Sequence, residues 1–180
     1  MRISGGILRG RRIDVPDGII RPAMDRMRES VFAVLGDLSG LSFLDLFSGS
    51  GIIALEAASR GAQPVEAVEK DGLKRQTLLK NLSIAPIRIS CRCMAAELYI
   101  KRAKRRFDIV FCDPPFPYKF KGELVWQLSR SPLMGEGSLL LLHRPREEPL
   151  KALPGDLIPE DCREFGRSVV DFFKKTASRG

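Results

Sequence analysis

From Leu41 onward the chain alternates short apolar runs with helical patterns, the rhythm of repeated strand and helix units that assemble a parallel sheet. The spacing predicts strands near 42–47, 64–69, 86–91, 107–112 and 137–143. Helices are predicted near 50–60, 71–83, 95–104 and 121–130, with Asp71 suited to cap the second and Gly61 to close the first. The tail, CREFGRSVVDFF, sets two β-prone runs around Gly166 and predicts a terminal antiparallel pair. The fold class is therefore α/β, without internal repeats.

The first forty residues have a different character. MRISGGILRGRRIDVPDGIIRP carries Arg2, Arg9, Arg11 and Arg12 among glycines and β-branched residues, which predicts a basic β-hairpin or curled extension rather than core. A helix over 24–35 follows, with Val31, Phe32 and Leu35 on its apolar stripe. At 180 residues this is one domain, residues 23–180, preceded by the basic extension, residues 1–22.

Charge adds a partner to this picture. Thirty Lys and Arg against 22 Asp and Glu leave a net charge of +8, and four arginines on one short segment repel each other unless phosphates or carboxylates face them. Nucleic acid is the expected partner. The longest apolar run, 139–142, is too short to span a bilayer and no signal pattern is seen, so a cytoplasmic protein without a membrane partner is expected. Cys91, Cys93, Cys112 and Cys162 lack paired C-x-x-C spacing, so they read as buried or idle thiols and no metal site is expected. The single histidine, His143, ends an apolar run without a partner in the sequence, and a structural or surface role is expected of it.

Two motifs carry chemistry. In FLDLFSGSGIIALE, Gly49, Ser50 and Gly51 stand between a strand and a helix, where glycine lets the backbone approach a ligand and the helix N-terminus favours an anionic group. The spacing of Gly49, Gly51 and Ala54, with Glu69 as ribose acceptor, also satisfies a dinucleotide fingerprint. Asp45 argues against that, because its carboxylate would repel a pyrophosphate but suit an ammonium or sulfonium group. Phe47 adds bulk where a dinucleotide turn wants backbone alone. S-adenosylmethionine, charged at one end and bearing a ribose, fits Asp45, the helix N-terminus and Glu69 together.

The second motif, DPPF at 113–116, ends the strand predicted at 107–112. The two prolines remove N–H donors and fix the chain, leaving the Pro114 carbonyl free as an acceptor beside the Asp113 oxygens. Such a pair of acceptors matches the two hydrogens of an exocyclic base amine, and Phe116 offers a stacking face for the ring.

These residues resemble a known family. LDLFSGSG, VEK at 68–70 and DPPF are similar to the class I S-adenosylmethionine-dependent methyltransferases of base amines. SGGILRGRRIDVP, RPAMDRMRESVF and REFGRSVVDFF narrow the resemblance to the RsmD family of small-subunit ribosomal RNA guanine-N2 methyltransferases. The resemblance implies a Rossmann-like, seven-stranded, mostly parallel sheet closed by an antiparallel pair. It assigns Asp45, Phe47, Gly49, Ser50, Gly51, Glu69, Met94 and Ala95 to the cofactor, and Asp113, Pro114 and Phe116 to the guanine. Arg2, Arg9, Arg11, Arg12, Arg21 and Lys119 are assigned to ribosomal RNA or the small subunit.

Three positions depart from the family pattern. Ala23 and Met24 stand where Thr usually follows RP, Cys93-Met94-Ala95 offers no Asp or Asn to an adenine amine, and His143-Arg144 replaces a common acid. The alternatives are an adenine-N6 methyltransferase of DNA or RNA, a catalytically silent RNA-binding assembly protein, and, last, a nicotinamide-linked oxidoreductase.

Overall fold

The computed structural model of the chain describes residues 1–15 and 22–177, so Arg21 lies outside the described residues. One sheet is built from β1 (Phe43–Leu46), β2 (Val65–Glu69), β3 (Ser90–Cys93), β4 (Ile109–Cys112), β5 (Leu139–Pro145), β6 (Leu157–Phe165) and β7 (Ser168–Lys175). Its order is β3-β2-β1-β4-β5-β7-β6. The first five strands are parallel, and β7 runs antiparallel to both β5 and β6. The α/β class, the seven strands and the terminal pair around Gly166 are as expected.

The helices are α1 (Pro22–Leu35), α2 (Ile52–Ser59), α3 (Arg75–Leu82), α4 (Ala96–Arg102) and α5 (Lys121–Arg130). Every residue of β1, β2 and β4 is buried, as the strands must be when helices cover both faces of a parallel sheet. One core joins Phe43, Ala67, Ile109 and Phe111 to Phe32, Leu55 and Leu78 of α1, α2 and α3. The other joins Leu44, Val68, Val110 and Leu140 to Ile100, Leu124 and Leu128 of α4 and α5. Among the described residues no helix is long and apolar enough to cross a membrane.

Two expectations need correction. The third strand lies at Ser90–Cys93, not 86–91. Pro86 lacks an N–H and fixes its own φ, so the chain enters the sheet only after it. The basic arm is also not outside the core: Ile3, Leu8 and Ile13 are buried there, each side chain contributing roughly 1.5–3 kcal/mol when fully buried.

A bridge between Arg2 and Arg12 closes the arm into a loop, and the loop is bonded to the C-terminal end of α2. The Ile7 N–H donates to the Ser59 carbonyl at 2.9 Å, the Leu8 N–H to Ser59 Oγ at 2.9 Å, and Ser59 Oγ to the Gly5 carbonyl at 2.6 Å. Gly6 has φ 71°, and a Cβ there would lie 1.9 Å from the Ser59 oxygen, so only glycine permits this approach.

Beneath the arm, Glu56 of α2 is fully buried between two arginines. Its Oε1 accepts from Arg28 Nε at 2.8 Å and from the Ser4 N–H at 2.7 Å, while Oε2 accepts from Arg60. Arg28 also donates to the Arg2 carbonyl at 2.8 Å, so a single carboxylate ties α1, α2 and the arm together. Removing it leaves Arg60 without its carboxylate and the buried Arg28 with only the part-exposed Asp25, 2.7 Å from its Nη1. Glu56→Ala is expected to lower stability by about 3–5 kcal/mol in equilibrium urea denaturation. A loss below about 1 kcal/mol would show that the network does not hold the arm.

Candidate active site

Parallel pairing sets Leu46 opposite Cys112, so the glycine loop after β1 and the DPPF segment after β4 leave the same sheet edge as neighbours. From this pair the strand order runs outward in opposite directions, which makes it the switch point where open α/β sheets bind ligands. The Asp113 N–H donates to the Leu46 carbonyl at 3.3 Å and joins the two segments.

The loop between β1 and α2 is wound tightly. Phe47, Gly49 and Gly51 have φ of 64°, 56° and 82°, and the left-handed region is costly for a residue as large as Phe. The Phe47 ring meets Tyr118 edge-on at 5.6 Å. A Cβ on Gly51 would lie 2.7 Å from Leu78 and 2.9 Å from Leu82, so glycine is needed both for the turn and for its seat on α3. The N-cap, Gly51, has no side chain to cap α2, and Asp45 takes the Ala54 N–H, which leaves the Ile52 and Ile53 N–H groups available to a ligand. The buried Ser50 presents its carbonyl to Asn81 Nδ2 at 2.9 Å, and the same amide donates to the Asp14 carbonyl at 2.8 Å. One asparagine thus links the glycine loop to the basic arm.

Asp45 is 1% exposed. Its Oδ2 accepts from Ser48 Oγ at 2.6 Å and from the Ala54 N–H at 3.2 Å. Burial, reinforced by the neighbouring charges of Asp113 and Glu69, pushes its carboxyl up to about 7 against the opposing pull of these hydrogen bonds. Glu69 is held by backbone alone, Oε2 accepting from the Gly49 N–H and Oε1 from the Asp71 N–H, both at 2.8 Å. Each oxygen keeps a lone pair for a hydroxyl. A chain of net charge +8 therefore gathers three carboxylates at one sheet edge, where a cationic group is favoured.

The DPPF segment is fixed from behind. Lys121, 4% exposed, donates to the carbonyls of Phe116 at 2.9 Å and Tyr118 at 2.6 Å and to Glu148 at 2.8 Å. Tyr118 donates its hydroxyl to Glu97 Oε1 at 2.5 Å. Burial and then that carboxylate push the phenol well up, so it keeps its proton. Asp113 Oδ1 lies 2.6 Å from His143 Nδ1, and the Phe116 ring is 5.4 Å from the imidazole. Among the described residues no hydrogen bond is made to Asp113 Oδ2 or to the Pro114 carbonyl.

Asp45, Phe47, Gly49, Ser50, Gly51, Glu69, Asp113, Pro114 and Phe116 are thus brought to one edge, together with the half-buried Met94 and Ala95 just after β3. Arg2, Arg9, Arg11 and Arg12 are exposed on the arm, and Lys119 is exposed in the segment after Phe116. Arg2, Arg9 and Arg12 line a cavity of about 620 Å³ with Arg28 of α1. His143 is buried rather than on the surface, and its partner is the motif aspartate, 30 residues away in sequence. Ser48, Asn81, Glu97 and Lys121 were also missed. Only the fold brings them to the site. Of the four thiols, Cys93 and Cys162 are exposed, Cys91 is half-buried and Cys112 is buried.

The family model described as conserved hypothetical protein 95 matches residues 1–174. Ribosomal RNA small subunit methyltransferase D of Escherichia coli (strain K12) is 32% identical over 87% of this chain and 80% of the relative. The chain belongs to the RsmD family. By family it is a methyltransferase. YlbH of Bacillus subtilis (strain 168) is 29% identical over 97% of this chain and 99% of its own length. The solved yhhF structure from Escherichia coli superposes with a TM-score of 0.90 at 30% identity, covering 99% of both chains.

The buried Asp45 predicts a pH dependence of stability. Between about pH 4 and 7 the folded protein keeps a proton on Asp45 that the unfolded chain gives up, so stability falls as pH rises through this window and levels off above it. Across it the wild type is expected to lose about 2–4 kcal/mol more than Asp45→Asn in denaturant titrations. Parallel curves for the two proteins would refute the shifted carboxyl.

Proposed function

We propose that the protein transfers a methyl group from S-adenosylmethionine to the exocyclic N2 amine of a guanine in small-subunit ribosomal RNA, in the cytoplasm. The observation that carries this reading is the pair of acceptors, Asp113 Oδ2 and the Pro114 carbonyl, standing beside a glycine loop with three carboxylates around it. The relatives' names, in which small-subunit ribosomal RNA recurs, support the substrate class.

The cofactor fits the donors available. Its ammonium and sulfonium end suits Asp45, its carboxylate suits the free N–H groups at the start of α2, and its ribose hydroxyls suit the open lone pairs of Glu69. Met94 and Ala95 would offer their backbone and apolar faces to the adenine. When bound, the cofactor supplies an electrophilic methyl carbon.

The remaining work falls to this chain's own groups. An aromatic amine is a poor nucleophile because its lone pair is delocalised into the ring. Asp113 Oδ2 and the Pro114 carbonyl accept its two hydrogens and draw it out of conjugation, Phe116 stacks on the base, and Asp113 takes the proton released as nitrogen gains carbon. Holding the amine against the electrophile supplies most of the acceleration, on the order of 7–11 kcal/mol in well-oriented cases.

The arm supports the RNA reading. Arg2, Arg9, Arg11 and Arg12 face solvent from a segment that is bonded to α2 and, through Asn81, to the glycine loop. A phosphate backbone gripped by the arm would therefore be in fixed register with the site.

Asp113→Ala is expected to bind S-adenosylmethionine within about threefold of wild type in calorimetry, yet to lose methyl transfer to small-subunit particles by about a hundredfold or more. Nucleoside mass spectrometry of the product should show N2-methylguanosine. Unchanged turnover in the variant, or N6-methyladenosine as the product, would refute the reading.

A further inference from the structure

His143 stands on β5 where the register continues from Cys112 opposite Leu142, which makes it the lateral neighbour of Asp113. It is 2% exposed, the Phe116 ring covers it at 5.4 Å, and on its other side the cross-strand partner is the apolar Val170 of β7. Its Nδ1 lies 2.6 Å from Asp113 Oδ1. Its Nε2 is the one buried side-chain polar atom among the described residues without a hydrogen-bond partner.

These facts fix which nitrogen carries the proton. A carboxylate can only accept, so the short contact requires the hydrogen on Nδ1. Nε2 is then a bare lone pair in an apolar pocket. An N–H there would be a buried donor with nothing to receive it, so the geometry favours an imidazole bearing a single proton, aimed at Asp113. The unsatisfied Nε2 is a cost that an ordinary core position avoids, and such costs collect at functional sites.

We propose that His143 is the positioning residue of the reaction. It donates from Nδ1 to Asp113 Oδ1, locks the rotation of the carboxylate, and leaves Oδ2 as the oxygen that meets the substrate amine. Without that bond the side chain of Asp113, whose exposure is 22%, can turn about χ1 and χ2, and the two-acceptor clamp is lost for part of the time. An acid at this position would face Asp113 with like charge, whereas imidazole supplies a donor.

This inference rests on the function proposed above, so its test has two independent parts. The chain contains one histidine, and a ¹⁵N-histidine-labelled sample therefore gives a single imidazole spin system. Long-range ¹H–¹⁵N spectra of the protein without ligand should show the Nδ1–H tautomer. In Asp113→Ala that preference should vanish. An Nε2–H tautomer in the wild type, or an unaltered spectrum in Asp113→Ala, would overturn the assignment whether or not the methyl-transfer reading holds.

The second part is kinetic. His143→Leu fills the pocket without a donor and should lower kcat by about ten- to a hundredfold, the effect of one hydrogen bond to a charged group. The KM for RNA and the dissociation constant for S-adenosylmethionine should stay within about threefold of wild type. His143→Asn places an amide N–H near Nδ1 and should recover at least about fivefold of that loss. A Leu variant as fast as wild type, or an Asn variant no faster than the Leu variant at equal melting temperature, would overturn the positioning role. If the wild type shows no methyl transfer while the Nδ1–H tautomer is found, the proposed function fails and the pairing of His143 with Asp113 stands.

Discussion

Parallel pairing of β1 with β4 is the constraint on which the rest of the molecule depends. Two segments 64 to 67 residues apart in sequence, the loop at Gly49 and the motif at Asp113 to Phe116, become neighbours only because Leu46 lies opposite Cys112. Both strands are fully buried, so a slip of one residue would turn each apolar side chain to the wrong face. The register is therefore held by both cores, and the site inherits its precision from them.

That precision has an electrostatic cost. Asp45, Glu69 and Asp113 crowd one edge of a cationic protein, and each is managed separately. Asp45 is buried and raised to about 7, Glu69 is spread over two backbone N–H groups, and Asp113 is paired with a histidine. The segment after Asp113 is held by Lys121 and by the contact of Tyr118 with Glu97, so the clamp is preformed and need not be assembled by its substrate.

Much of this was legible in the chain. β4 announces itself because burial on both faces makes it a continuous apolar run, β1 and β2 are apolar but for Asp45, Glu66 and Glu69, and the glycine and DPPF motifs mark the ends of β1 and β4. β3 was misplaced because Ser90, Cys91, Arg92 and Cys93 form an edge strand with no inward face to betray it. The arm was read as external because its charge is conspicuous, while Ile3, Leu8 and Ile13 recur at no strand or helix period. The pairing of His143 with Asp113 leaves no local signal, since neither residue constrains its sequence neighbours. The arginines around Glu56 escaped for the same reason: a buried carboxylate between Arg28 and Arg60 looks, in sequence, like surface charge on two helices.

The central claim is that the oxygens after β4 face an electrophilic carbon held by the loop after β1. The most direct measurement is a crystal structure of the protein with S-adenosylhomocysteine bound. The homocysteine sulfur is expected between Gly49 and Asp113, the ribose on Glu69, and Asp113 still bonded to His143 with Oδ2 turned toward the sulfur. A ligand bound away from the β1–β4 edge, or an Asp113 carboxylate facing away from it, would contradict the account.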